Sequence, residues 1–240
     1  MAAAELTHIE RAPVDPIAAQ CQHRAYADTL TALGGEVQLL PALAGHPDCA
    51  FVEDVAICLP EAFVATRPGA PSRRGEVASV MAALPEDRAH LALAEPAMLD
   101  GGDVLRIGRT VNVGLSSRTN ADAVAQLAGL IGPFGYAVRA VRVVGALHLK
   151  TAVTALPDGR LLLNPAWVSA DDFDAAAAID IAPDEPFAAN TLAVGQTLLV
   201  QANAPRTAEQ LDRLGYSLRL VDIEQFNRVE AGLTCLSLCF

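Results

Sequence analysis

The sequence predicts an α/β protein of repeated strand–strand–helix–strand units, and three observations carry that prediction. Short apolar runs of strand length alternate with stretches that have helix start and stop signals. The order strand, turn, strand, helix, strand returns at a period of roughly fifty residues, a length at which repeats often form propellers or solenoids. The chain has 240 residues, 52% of them apolar, and no Ser/Gly-rich or like-charged linker, so residues 1–240 read as a single domain. A plain open α/β sheet would satisfy the same alternation.

Asp15-Pro16 opens the first helix, as an N-cap followed by proline at the first helical position. It runs through Ala25 and Leu30 to a stop at Gly34-Gly35, and residues 37–40 then read as a short strand. Two apolar runs, 55–59 and 62–66, flank Pro60-Glu61 as a hairpin, and Ser72 caps a helix to about Leu84. The order then repeats: runs 104–107 and 110–114 around Gly108-Arg109, a helix from Asn120 to near Gly132, and a strand over 138–144. Runs 152–156 and 161–163 pair around Pro157-Asp158-Gly159-Arg160, which has the chemistry of a turn. A strand at 198–201, a helix at 207–214 and a strand at 218–221 start the pattern again.

Composition narrows function. A net charge of -11, with Lys150 the one lysine, argues against a general binder of nucleic acid or anionic membranes. The first thirteen residues hold Glu5, His8, Glu10 and Arg11, unlike a signal peptide, and no apolar stretch approaches a membrane span, so a cytoplasmic protein is expected. Cys21, Cys49, Cys58, Cys235 and Cys239 are odd in number and irregular in spacing, which predicts reduced thiols; no CxxC pair suggests a structural metal.

The chemistry sits in short polar motifs that interrupt or end the apolar runs: Phe51-Val52-Glu53-Asp54, Arg67 through Arg73-Arg74, Leu99-Asp100-Gly101-Gly102-Asp103, Ser117-Arg118-Thr119-Asn120, Leu147-His148-Leu149-Lys150 and Leu233-Thr234-Cys235. Singly, each has an ordinary reading. A free cysteine is usually a small buried hydrophobe, and a histidine between leucines is usually a satisfied core residue. Asp100-Gly101-Gly102-Asp103 could be a turn, and Arg73 and Arg118 could be surface charges. Glu53-Asp54 stands out, because adjacent carboxylates inside an apolar run need donors or a bound cation if buried.

Together these motifs, in this order from about Asp48 to Phe240, resemble the dimethylarginine dimethylaminohydrolases of the guanidine-modifying (amidinotransferase) superfamily. The resemblance implies a five-bladed α/β propeller of pseudo-symmetric repeats and a mechanism that needs neither cofactor nor metal. By position in the family's motifs, Cys235 is the nucleophile, His148 the acid/base and Asp100 its acidic partner. Asp48, Glu53 and Asp54 match substrate contacts, Arg73 and Arg118 the groups that hold the substrate carboxylate, and Val229 a backbone contact near the thiol. The implied partner is a small guanidine compound. No sequence element diagnoses an oligomer interface, so a homo-oligomer is left open.

The roles suit the chemistry. A guanidinium carbon is a poor electrophile, so a site must hold the cation, present a thiolate and protonate the departing amine. The resemblance weakens before the first helix: the family's longer segment covers the substrate and supplies a leucine contact, and only Pro13-Val14 separates Ala12 from Asp15, so a shortened lid is expected and the leucine finds no match. Arginine deiminase-like or amidinotransferase chemistry, or a non-catalytic binder on the same scaffold, are the alternatives.

Overall fold

A computed structural model describes residues 6, 7, 9–174 and 177–240. Its helices are α1 (Pro16–Ala32), α2 (Val77–Met81), α3 (Ala121–Ile131), α4 (Leu149–Ala152), α5 (Pro205–Arg213) and α6 (Glu224–Asn227). Four three-stranded sheets follow one another along the chain. They are β1–β3 (Ala56–Cys58, Ala62–Ala65, Ala89–Ala92), β4–β6 (Val104–Ile107, Thr110–Leu115, Ala137–Arg142), β7–β9 (Val153–Ala155, Leu161–Leu163, Ala178–Asp180) and β10–β12 (Leu192–Val194, Thr197–Gln201, Ser217–Val221).

Each sheet has one topology: its first two strands form an antiparallel hairpin, and its second and third are parallel. Parallel neighbours cannot be joined by a tight turn, so the chain must leave the sheet and return. It does so over α2, α3 and α5 in the first, second and fourth sheets. In the third, the crossover holds a 3₁₀ turn, Ala170–Asp172, and no α-helix among the described residues.

Local signals explain the helices. Asp15 caps α1, its Oδ1 accepting from Ile17 N and Ala18 N at 2.9 and 3.2 Å, and Asn120 caps α3 by accepting from Ala123 N. Residues 37–40, expected as a strand, lie outside every sheet; Val37 and Leu40 instead insert their side chains into two separate apolar clusters. The helix expected from Ser72 begins as a 3₁₀ turn over Pro71–Glu76 without a side-chain cap and reaches Met81 as α2. A 3₁₀ turn stacks residues three apart, and that brings Arg73 onto Glu76, both buried.

Middle strands are buried on both faces, as in β2 and β8, which accounts for their unbroken apolar runs. Alternate residues of a strand point to opposite faces and so feed different cores. Leu161 and Leu163 join a cluster with Leu105 and Val141 of the second sheet, whereas Leu162 joins Leu198 and Val200 of the fourth. Ile57 and Val64 meet Val111, Val113 and Leu127 between the first two sheets. Beyond the fourth sheet, Leu199 and Val221 pack with Tyr26 and Leu30 of α1 and with Leu233 and Leu236 of the C-terminal segment. Leu40 and Leu238 in turn pack against Ala56 and Phe63 of the first sheet. Each sheet therefore shares a core with the next, α1 packs on the fourth, and the C-terminal segment contributes to the cores of both the fourth and the first.

Candidate active site

The polar motifs sit at equivalent places in this series. A helical turn comes just before the first strand of three sheets: Val52–Val55 before β1, Gly101–Asp103 before β4 and α4 before β7. A further turn, Thr234–Leu236, belongs to the C-terminal segment. Backbone at such turns is free of the sheet ladder, so its side chains and N–H groups can face one another across a common cleft.

There they line a cleft of about 370 Å³, counting its open mouth. Its walls include Cys235, His148, Asp100, Asp48, Asp54, Arg73, Arg118 and Val229, so the fold brings together eight of the nine residues singled out in the sequence. Glu53 is the exception. It is buried beside the cleft, with Oε1 accepting from Lys150 Nζ at 2.5 Å and Oε2 accepting from Thr234 Oγ1 at 2.7 Å.

His148 is held from two sides. Its Nε2 donates to Asp100 Oδ2 at 3.0 Å, and its Nδ1 lies 3.8 Å from Asp54 Oδ1. Burial disfavours the charged ring, but Asp54, the Asp100 hydrogen bond and Asp103 outweigh it and raise the His148 pKa to about 9. Asp100 is fixed in turn by Gly69 N, which donates to its Oδ1 at 2.9 Å. Gly102 packs directly against the pair: a Cβ there would come within 2.6 Å of His148 Nδ1 and 2.8 Å of Asp54 Oδ1. Neither Gly101 nor Gly102 has a positive φ, so close approach, not turn geometry, demands the glycine.

The carboxylates have partners, as their burial requires. Asp54 accepts from Arg73 Nη1 and from Gly102 N, and although burial pushes its pKa up, His148 and Arg73 bring it below the usual value. Arg73 is itself buried, donating also to Glu76 and to the carbonyls of Asp48 and Phe51. Arg118 differs: it is half-buried at the mouth, and its Nη2 donates to Thr7 Oγ1 at 3.3 Å.

Cys235 is buried, and Gly232 N donates to its Sγ at 3.3 Å. Burial first, then the nearby Glu53 and Asp54 charges, push its thiol pKa well up. All five cysteines are free. Because residues 234–236 form a 3₁₀ turn, Cys235 and Cys239 do not share a strand face; the former is buried and the latter exposed.

Sequence reading left Asp103 without a role. It is wholly buried, its Oδ1 accepting from Leu149 N (2.9 Å) and its Oδ2 from Ser116 Oγ (2.7 Å) and Thr119 Oγ1 (2.6 Å), and burial raises its pKa to about 6. It thus pins the backbone directly after His148. The segment before α1 also does more than its length promised: Thr7 N donates to Glu230 Oε2 at 2.5 Å, so Thr7 bridges Arg118 and Glu230, both on the cleft wall.

Ligand atoms of Asp54, Asp100 and His148 lie within 4.8 Å of one another, a spacing that could suit a metal ion. Those side chains are already committed to each other, to Arg73 and to Gly102 N. No helix among the described residues is long and apolar enough to cross a membrane.

No protein-family model matches the chain. A Streptomyces coelicolor protein named N(G),N(G)-dimethylarginine dimethylaminohydrolase is 42% identical over 238 residues, spanning 97% of this chain and 90% of that one. A Pseudomonas aeruginosa protein of the same name is 34% identical over 223 residues, spanning 91% and 87%. The solved structure of DDAH from Pseudomonas aeruginosa, a cysteine-to-serine mutant complexed with citrulline, superposes with a TM-score of 0.89 at 31% identity, covering 98% of this chain and 93% of that one.

Proposed function

The chain belongs to the dimethylarginine dimethylaminohydrolase family, and on that premise we propose that it hydrolyses N-omega-methylated arginine to citrulline and methylamine or dimethylamine through a covalent cysteine intermediate. One observation carries the reading: a thiol, an imidazole paired to a carboxylate, further carboxylates and an arginine at the mouth all line one cleft. Citrulline in the related solved structure is consistent with it.

The guanidinium docks as a cation against Asp54 and Asp48, whose carboxylates accept from its N–H groups. Arg118 holds the far carboxylate at the mouth, with Arg73 adding charge from the wall. In the empty cleft, burial and neighbouring anions favour the protonated thiol of Cys235. An incoming cation opposes that local field, so the thiol releases its proton to solvent water as the substrate docks, His148 being already protonated. The thiolate then attacks the central carbon beside the Val229 backbone. His148, protonated at neutral pH, gives its proton to the leaving amine as the C–N bond breaks. Now neutral, His148 takes a proton from water, and the resulting hydroxide displaces the thiolate to yield citrulline. Asp100 keeps the ring oriented through both transfers. No step uses a cofactor.

Two further readings accompany this one. The shared cores from sheet to sheet, with the C-terminal segment contributing to those of both the fourth and the first, support a five-bladed propeller in which α1 and that segment belong to the fifth blade. They also support one catalytic domain over residues 1–240. A small guanidine compound is the expected partner, without nucleic acid, and a cytoplasmic setting suits five free thiols.

Incubating purified protein with asymmetric dimethylarginine, monomethylarginine, arginine and simple guanidines tests the activity. Citrulline and dimethylamine should appear from the first. Citrulline from arginine alone would favour a deiminase, and none from any of them would sink the hydrolase reading.

A further inference from the structure

Three of the four sheets place a catalytic or ion-paired residue just before their first strand; the fourth places Asn190 before β10. Asn190 is 3% exposed, and it does not line the cleft. Its amide faces the nucleophile's own segment: Oδ1 accepts from Thr234 N at 3.2 Å, and Nδ2 donates to Thr234 Oγ1 at 3.0 Å and to Lys150 O at 2.9 Å. Thr234 Oγ1 donates onward to Glu53, and Glu53 accepts from Lys150. A closed ring of hydrogen bonds therefore joins Asn190, Thr234, Glu53 and Lys150, and it ties the segment of Cys235, the residue after Thr234, to that of His148, two residues before Lys150.

We propose that Asn190 is a positioning residue for the nucleophile, acting through Thr234 and, with Glu53 and Lys150, fixing Cys235 relative to His148. The inference rests on the hydrolase reading for its consequence and on geometry for its content.

The chemistry of the amide explains the residue. One planar group must accept from a backbone N–H and donate to both a hydroxyl and a carbonyl, which asparagine does and aspartate or leucine cannot. Reversing the amide would set NH₂ against N–H and oxygen against oxygen, so one orientation satisfies every contact. The chain also closes onto it: a Cβ at Gly232 would lie 2.2 Å from Asn190 Oδ1, and Gly232 N is the donor to the Cys235 thiol. Moving the amide would displace that donor as well as Thr234. Glu53 thereby gains a role at the ring, since both its carboxylate oxygens are engaged there.

Asn190→Asp and Thr234→Val test it, with Thr234→Ser as the variant that restores the hydroxyl. Two readouts are compared on protein shown to unfold cooperatively: citrulline kcat and KM, and the pH midpoint for alkylation of Cys235 by iodoacetamide. Asn190→Asp and Thr234→Val should lower kcat by roughly 10- to 100-fold with KM little changed, since misplacement of about 1 Å can cost as much. Both should shift the alkylation midpoint, and Thr234→Ser should recover most of the loss. Variants that only melt earlier, with kcat per folded molecule and alkylation midpoint as in the wild type, overturn the proposal. If Asn190→Asp does not fold, Thr234→Val decides, because it leaves the asparagine in place. If the wild type releases no citrulline, the hydrolase reading fails, while the alkylation midpoints still decide on positioning: unchanged values reject it.

Discussion

Asp100 Oδ2 lies 3.0 Å from His148 Nε2, and both side chains are buried. A full negative charge this close to the ring stabilises the imidazolium and fixes its orientation together. Asp100→Asn keeps the shape and removes the charge. The His148 pKa should then fall below its value of about 9, and kcat should drop by about 10- to 100-fold, part of the roughly 10²–10⁴-fold that a positioned acid/base contributes. NMR titration of the ring with parallel rate measurements checks this, and an unmoved pKa would remove Asp100 from its role.

The same raised pKa has a consequence for stability. Unfolded histidine titrates near 6.5, and in the fold His148 titrates at about 9. Protons are thus bound more tightly when folded, so the stabilisation is fully present below about 6.5 and is lost as pH rises through about 9. Urea unfolding between those values should show His148→Asn with a flatter decline of stability than the wild type. Turnover should also fall above about 9, where the proton donor is lost. Equal slopes for both proteins would contradict the charge state assigned to the ring.

The two arginines should separate under mutation. Arg73 balances buried Asp54 and Glu76, so Arg73→Ala leaves buried charges without their partner and should cost about 3–5 kcal/mol of stability. Arg118 is half-buried at the mouth, and Arg118→Ala should leave the melting temperature nearly unchanged while raising KM. Thermal melts beside Michaelis curves distinguish them; a stable Arg73→Ala would show that Asp54 and Glu76 do not depend on it.

What could be read from the sequence follows burial and locality. Asp15-Pro16 and Asn120 announced α1 and α3 because a cap acts within three residues, and the middle strands stood out because both faces are apolar. Strands β3, β9 and β10 went unnoticed: they are third or outer strands, and no more than one residue of each is buried. Residues 37–40 had strand composition without a neighbouring strand to pair with. The site motifs were visible as polar interruptions, but what Asp103 and Asn190 hold lies 46 and 44 residues away, beyond any local pattern. The thiol and the imidazole showed together only through the order of the motifs.

Gly102 offers a test of close packing. A methyl at this position would meet His148 Nδ1 at 2.6 Å, far inside contact distance, and neither the ring nor Asp54 can retreat without breaking a buried hydrogen bond. Gly102→Ala should therefore lose activity strongly even though its φ suits alanine. A Gly108→Ala control, where no atom lies within 4 Å but φ is +57°, should cost stability with little effect on kcat. Wild-type turnover by Gly102→Ala would mean that His148 is not held as described.

The covalent adduct should form on Cys235 and not on Cys239. Cys235 is buried on the cleft wall with Gly232 N at its sulfur, whereas Cys239 is exposed, and its sulfur lies 3.6 Å from Ser237 Oγ away from the cleft lining. Accessibility alone favours Cys239 for a general alkylating reagent. Turnover selects differently, because attack needs an electrophile held beside a proton donor, and only Cys235 shares the cleft with His148. Acid quench during turnover of asymmetric dimethylarginine, followed by peptide mapping, should place the added mass on Cys235. Cys235→Ser should abolish both adduct and citrulline, and Cys239→Ser should keep both. An adduct on Cys239, or turnover by Cys235→Ser, would mean that the thiol on the wall of this cleft is not the nucleophile.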